Sequence, residues 1–544
     1  MVSNKEKYEA NGNFEGRKDD EMKTRQKSEG RIVPEGRGNP SPIDGAERCR
    51  GGKEAPVKEA VQQLVLPFAT VETSPTGGAG GGRSADRSAR QKPQGPKAKG
   101  NPEKRELAME EVVGNLESAF TKVAANDGAP GPDRQSIEQV RKFLPVLLPH
   151  VSKALLAGSY VPGDIRRVWI PKAGGGERGL GIPDVIDRVI QEAVRVVLEP
   201  FYEPTFHASS HGFRPNRSCH TAITEAQGYV RDGNTWVVDI DLEKFFDRVH
   251  HQRLMARLSR SINDKRLLVL IDRMLKAQVV MPDGVKVSTD EGVPQGGPLS
   301  PLLSNIVLTE LDNELAQRGL RFVRYADDCN IYVRSERAGK RVMASVERFI
   351  TKRLRLRVNQ SKSAVARPDT RHFLGFRLLA TDGQPEVLLS DRSQKRLAER
   401  VRDLTPRSAG RSLSSFITSI NRYFQGWTAF FGICSPGIAR VLQITDSHVR
   451  RRLRAIVLRH WRRRYTIAKR LIGLGVNSKT AWRRVYEGRK GLWALSHDYA
   501  VDRGLRNAYF AERGLVSLAG LFESRWLKPI APVQLKLDWD TARS

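Results

Sequence analysis

Two neighbouring acids, Asp327 and Asp328, interrupt a run of mostly apolar and aromatic residues, RFVRYADDCNIYVR at 321–334. The run reads as strand, tight turn and strand, with both carboxylates at the tip. Aspartate also occurs in turns for purely structural reasons, because its short side chain tolerates tight backbone geometry. A second acidic strand end shifts the balance towards chemistry: TWVVDIDL at 235–242 is an apolar run ending on Asp239 and Asp241, followed by EKFFD at 243–247. Carboxylates clustered where strands leave a sheet suit Mg²⁺, a hard cation that takes oxygen ligands and keeps several waters. Two such ions about 4 Å apart serve phosphoryl transfer onto a 3′-hydroxyl, one activating the attacking oxygen and one stabilising the leaving pyrophosphate. Asp239 and Asp241 are two residues apart and share one face of a strand, so periodicity leaves both open as the third ligand.

Two glycine-rich segments bear on the same chemistry. IPKAGGGER at 170–178 sets Lys172 and Arg178 around a flexible loop that can bring charge and backbone amides to a triphosphate. Its plain reading is a hairpin turn. GVPQGGPLSP at 292–301 lets backbone approach a ligand near Gln295, and also reads as a helix entry with Ser300 as the cap and Pro301 in the first turn. Arg214, in SSHGFRPNRSCHTA, is a candidate for a template phosphate or for pinning a turn. His211, His250 and His251 read as structural, since this chemistry needs no imidazole.

Such groups need a rigid sheet to carry them. Between 160 and 380, short strand-like runs (RRVWIP, TWVVDIDL, RFVRYA, CNIYVR, HFLGFRLL) alternate with longer helical ones, which predicts an α+β domain. Ahead of it, Leu107, Val112, Leu116 and Phe120 recur about one helical turn apart, followed by the turn-rich NDGAPGPD at 126–133. Beyond 390 the chain turns helical and basic. Leu413, Phe416, Ile420, Phe424 and Trp427 keep helical spacing, as do Val449, Leu453, Val457 and Trp461. The remaining faces of that last helix carry Arg450, Arg451, Arg452, Arg454, Arg459, Arg462, Arg463 and Arg464, which repel one another unless counterions gather. Arginine's planar fork suits phosphate and stacks on bases, so this face predicts RNA binding.

Composition agrees. The 92 Lys and Arg against 61 Asp and Glu give a net charge of +31, which favours a polyanionic partner, while 39% hydrophobic residues suffice for a large core. Cys49, Cys219, Cys329 and Cys434 are far apart with no CxxC pair, so neither a disulfide framework nor a zinc knuckle is suggested and an intracellular protein is expected. The start lacks an apolar signal segment, Asp19, Asp20 and Glu21 argue against a transit peptide, and no stretch is apolar enough to span a bilayer, so no membrane role is expected. Residues 1–100, rich in Gly, Pro, Ser, Lys and Arg, predict a basic, mostly disordered arm, with PVKEAVQQLVLPFATV at 56–71 as a short helix or docking segment.

Eight motifs in one order, NDGAPGPD, IPKAGGGERGLGIPDVIDRVIQEAV, SSHGFRPNRSCHTA, VVDIDLEKFFDRVHH, EGVPQGGPLSPLLSNIVL, RYADDCNIYV, LRVNQSKS and HFLGFRL, make the chain resemble the reverse transcriptases encoded by bacterial group II introns, especially the compact class C type, over about 105–530. The resemblance implies a right-hand polymerase: an N-terminal extension and start of the fingers at 101–160, fingers and palm at 161–380, a helical thumb (maturase region X) at 381–445, a basic helical DNA-binding module at 446–535 and a tail at 536–544. In the family register Asp241 is the third metal ligand beside Asp327 and Asp328, holding two Mg²⁺. Lys172, Arg178 and Gln295 are implied to contact the deoxynucleoside triphosphate, and Phe246 to be the steric gate against a ribose 2′-hydroxyl. Lys362 is implied to lie near the phosphates, and Arg214, Arg450, Arg451, Arg452, Arg454, Arg462, Arg463 and Arg464 to bind nucleic acid. The implied function is RNA-directed DNA synthesis with assistance to intron splicing, as a ribonucleoprotein in the bacterial cytoplasm. Its partners are intron RNA, a DNA target and a primer, with oligomeric state left open. Many relatives continue into an endonuclease with paired cysteines and histidines; the sequence given lacks such a cluster, so target nicking is not expected from it. The alternatives are a domesticated reverse transcriptase in defence or DNA repair, and a splicing cofactor without polymerase activity.

Overall fold

A computed structural model describes residues 107–171, 176–408 and 410–527. The arm at 1–100 and the segment at 56–71 lie outside the described residues, as does Lys172.

The periodic set at the start is buried as expected: Leu107, Val112, Leu116 and Phe120 lie in the core, on the short helices Met109–Gly114 and Leu116–Ala125 and just ahead of them. A third helix, Ile137–Leu156, starts at a capping box in which Ser136 and Gln139 satisfy each other's backbone N–H. The turn-rich segment between them folds onto the entry of helix Val185–Tyr202. Asp184 accepts from the Asp133 N–H at 3.1 Å, and Gly131 lies so close that a Cβ there would meet the Asp184 carboxylate at 2.1 Å. That helix buries residues all around.

Two four-stranded sheets follow. The fingers sheet is built from β1 (Ile165–Pro171), β2 (Glu177–Pro183), β4 (Val279–Val280) and β5 (Lys286–Val287), in the order β2-β1-β4-β5. The glycine loop joins β1 to β2, with Ile170 opposite Arg178. The palm sheet is built from β3 (Trp236–Ile240), β6 (Arg321–Tyr325), β7 (Asp328–Val333) and β8 (Ala364–Ala366), in the order β6-β7-β3-β8, all antiparallel neighbours.

Alternation across the palm sheet divides the described residues into two cores. Val238, Ile240, Phe322 and Ile331 face the fingers and the helices Ser300–Gln317 and Glu336–Phe349. Val237, Val323 and Tyr332 face a second core, built from helix Cys219–Arg231, the hairpin of β9 (Phe376–Leu379) and β10 (Glu386–Leu389), and the C-terminal helices. Helix Leu413–Phe431 buries Phe416, Ile420, Phe424 and Trp427, the stripe read from the sequence. Helix Ala439–Trp461 buries Val449, Leu453, Val457 and Trp461. It also runs without interruption through 445/446, the boundary expected from the sequence between a thumb and a basic module. Among the described residues no helix is long and apolar enough to cross a membrane.

Candidate active site

The acids named from the sequence meet at one end of the palm sheet. Ile240 of β3 lies opposite Cys329 of β7, so Asp241 leaves its strand where Asp328 enters the neighbouring one. Residues directly opposite share a face, and Asp239, opposite Asn330, lies on that same face, towards the second core. Asp327 occupies the two-residue turn with Ala326, which adopts a left-handed backbone at φ +57°.

The carboxylates feel one another. Crowding by protein, then the charges of Asp327, Asp239 and Asp241, push the Asp328 carboxyl up to about 7, even though the residue is exposed on its outer side. Burial also raises Asp327, reinforced by Asp241 and opposed by the cation of Arg178. The acids are electrostatic neighbours without being gathered into a cage: among the described residues no three of His, Cys, Asp or Glu are set to hold a metal ion.

The two acids that periodicity left open have different partners. Asp239 is claimed by Arg371, whose Nε and Nη2 donate to Oδ2 at 2.9 and 2.5 Å. Asp241 faces the exposed ammonium of Lys362 at 3.7 Å. Its backbone is pinned by the NQSKS loop: the Ser363 hydroxyl accepts from the Asp241 N–H, and the Asn359 N–H donates to the Asp241 carbonyl. Arg371 also donates to the Lys362 carbonyl at 2.6 Å, so one guanidinium ties this loop to β3.

Residues missed by sequence reading hold the turn from below. Arg324 is fully buried, pairs with Asp312 at 2.7 and 2.6 Å, and donates to Asn305, Ser210 and the Ala326 carbonyl. Gly212 packs directly against that turn, where a Cβ would sit 2.2 Å from the Ala326 nitrogen. The signal was present, since a charged residue at 324 in an apolar strand demands a buried partner. What the sequence withheld was which acid supplies it.

The glycine-rich loop at 292–297 closes the other side. Val293 N–H donates to the Phe246 carbonyl at 2.6 Å, and Gly181 of β2 donates to the Gln295 carbonyl at 2.7 Å. Gly292 needs its φ of +101°, and a Cβ there would press on the Phe246 and Asp247 backbone. Phe246 and Gln295 are thereby anchored beside the strand bearing Arg178; Phe246 is half-buried, edge-on to Phe245. His251 is buried with its Nε2 against the Gly292 carbonyl, and His211 is buried with its ring nitrogens against Thr221 and Glu225. Ser300 does not cap its helix; its hydroxyl donates to the Pro294 carbonyl at 2.6 Å, leaving Pro301 as the entry signal.

Several arginines expected on nucleic acid are committed inside the protein. Arg214 is turned inward, donating to Glu203 and to the His207 and Ser210 carbonyls, so it pins the turn. Arg454 is buried on the Leu505 carbonyl and Asp502. Arg464 donates to the Val485 and Lys490 carbonyls, and Arg452 to the Thr405 carbonyl and hydroxyl. Arg451 lies over the Trp493 ring at 4.3 Å, and Arg450 bonds Ser447. Arg459, Arg462 and Arg463 remain exposed.

Residues 170–378 match the reverse transcriptase (RNA-dependent DNA polymerase) family, and 394–472 match the group II intron maturase-specific domain. The chain is 34% identical to Protein YkfC of Escherichia coli (strain K12) over 331 residues, 54% of this chain and 84% of that protein. It is 38% identical to the group II intron-encoded protein LtrA of Lactococcus lactis subsp. cremoris over 219 residues, 40% of this chain and 34% of that protein. A shorter match, 30% identical over 142 residues, links it to the nuclear intron maturase 4, mitochondrial, of Arabidopsis thaliana, covering 26% of this chain and 18% of that protein. A reverse transcriptase domain carrying paired acids at one end of its palm sheet, followed directly by a maturase-specific domain, places the chain in the group II intron reverse transcriptase/maturase family.

Proposed function

We propose that the chain binds group II intron RNA, promotes its splicing and copies it into cDNA for retrotransposition, acting as a cytoplasmic ribonucleoprotein. The observation that carries this reading is the strand register that pairs Ile240 with Cys329, so that Asp241 leaves β3 where Asp328 enters β7, beside the turn whose Asp327 feels the charge of Arg178. The donor set is all hard oxygen; burial first, and then the charges of the neighbouring carboxylates, push Asp328 up to about 7, and the repulsive part of that shift is what divalent cations relieve. Asp241, Asp327 and Asp328 would hold two Mg²⁺, which supply charge neutralisation and activation of the primer 3′-hydroxyl when bound.

The chain's own residues do the remainder. Arg178 and Lys172 meet the triphosphate of an incoming deoxynucleotide. Gln295, fixed by its backbone bond to Gly181, contacts the nucleotide. Phe246, held by Val293, excludes a 2′-hydroxyl by its bulk. Lys362 neutralises phosphate near Asp241 without serving as a general acid. RNA and target DNA lie along the exposed cations of the C-terminal module.

Primer extension on an RNA template with deoxynucleotides and Mg²⁺ is the test. Asp327→Ala abolishes extension while RNA affinity stays within a few-fold; extension retained in that variant refutes the site.

A further inference from the structure

The helices Arg464–Gly473 and Ser478–Tyr486 pack against each other as a hairpin whose own core is Ile467, Ala468, Leu471, Ala481 and Val485. Three aromatic rings flank that core, Trp482 packed against it and two tyrosines farther out. The Tyr465 ring centroid lies 5.3 Å from that of Trp482, and the Trp482 centroid lies 6.0 Å from that of Tyr486. Trp482 is half-buried, whereas Tyr465 and Tyr486 are 52% and 51% exposed. Burial of the hairpin does not account for two large rings left half in water at its open end.

We propose that Tyr465, Trp482 and Tyr486 form a stacking platform for unpaired nucleotides. Arg464, closing the hairpin through the Val485 and Lys490 carbonyls, keeps the rings in place. The surrounding charge selects the occupant. Between 459 and 490 the sole acid in the sequence is Glu487, and Arg484 pairs with it at 3.0 Å. In the same stretch Arg459, Arg462, Arg463, Lys469, Arg470 and Arg483 are exposed, and the Lys469 ammonium lies 4.9 Å from the Tyr465 ring centroid. An apolar protein partner would have to cover these cations without counter-charge, whereas a phosphate backbone neutralises them while its bases meet the rings. Duplex nucleic acid hides its base faces in its own stack, so the ligand is a single strand of RNA or DNA. The platform rests on the nucleic-acid function proposed above and gives the unpaired strand a site away from the palm.

Binding of the full-length protein to fluorescein-labelled oligo(dT), oligo(U) and an abasic deoxyribose-phosphate strand of equal length tests it. Tyr465→Ala and Tyr486→Ala each weaken binding to a base-bearing strand by roughly tenfold and leave the abasic strand unchanged, while Tyr465→Phe binds as the unaltered chain does. The oligo(dT) and oligo(U) arms report whether DNA or RNA is preferred. Unchanged affinity in both alanine variants, or equal loss on base-bearing and abasic strands at an unchanged melting temperature, overturns the platform. Should an alanine variant melt early, Tyr465→Leu, apolar but not planar, takes its place with the same expected loss. Primer extension by the unaltered chain is scored separately: a chain that cannot extend a primer but shows the base-specific loss keeps the platform and sinks only the polymerase reading.

Discussion

Among single residues, the support of the acidic turn is as informative as the acids. Arg324 and Asp312 are both fully buried, so removing one partner strands the other charge in the interior. Arg324→Met is expected to cost about 3–5 kcal/mol in urea unfolding, with Arg324→Met/Asp312→Leu recovering most of it. An Arg324→Met variant with an unchanged midpoint would mean that the pair is not what holds the turn. Arg371 acts differently, because its fork joins Asp239 to the loop bearing Lys362. Arg371→Lys keeps the charge but loses the bidentate geometry, so it should lower kcat for primer extension with little change in the KM for deoxynucleotide. A rise in KM alone would place Arg371 on nucleotide binding instead.

Between elements, the contact of the segment ahead of β9 with the entry of helix Asp391–Leu404 carries a pH dependence. His372 bonds the Ser390 hydroxyl just ahead of helix Asp391–Leu404. Burial, then the charges of Arg392, Arg396 and Arg371, hold its imidazole down to about 4, against about 6.5 in an unfolded chain. The unfolded chain therefore takes up the proton first. The contribution is complete above about pH 6.5 and is lost as pH falls towards 4. Urea midpoints measured at pH 7 and pH 5 should drop on acidification, and drop less in His372→Gln; equal drops in the two proteins would remove His372 as the cause. The loop at 292–297 offers a second test of how elements meet, since Gly292→Ala forces a strained backbone against the Phe246 and Asp247 carbonyl region. It should impair deoxynucleotide use and stability together, measured by single-nucleotide incorporation and melting.

Across the whole molecule, the net charge of +31 is divided between cations that build the fold and cations that are free to meet phosphate. Replacing Arg459, Arg462 and Arg463 should flatten the salt dependence of RNA binding by up to about 0.9 in log–log slope for each phosphate that is no longer neutralised. Arg454→Ala should instead lower the melting temperature and leave that slope unchanged. The reverse pattern would exchange the two roles. Local pattern was enough to read the strand–turn–strand around Asp327 and Asp328, the acidic end of β3, and the apolar stripes from Val449 to Trp461 and from Phe416 to Trp427. Each of these is a short-range periodicity, and the burial of a stripe needs only some neighbour, not a particular one. Long-range packing was needed to separate Asp239 from Asp241, which share a strand face and differ because Arg371 arrives from 132 residues away. It likewise turned Arg454 inward, where the Leu505 carbonyl and Asp502 return to cover a face of the helix that periodicity had assigned to solvent. Periodicity reports which face an element can bury; which distant segment comes back to cover it depends on how the whole chain packs.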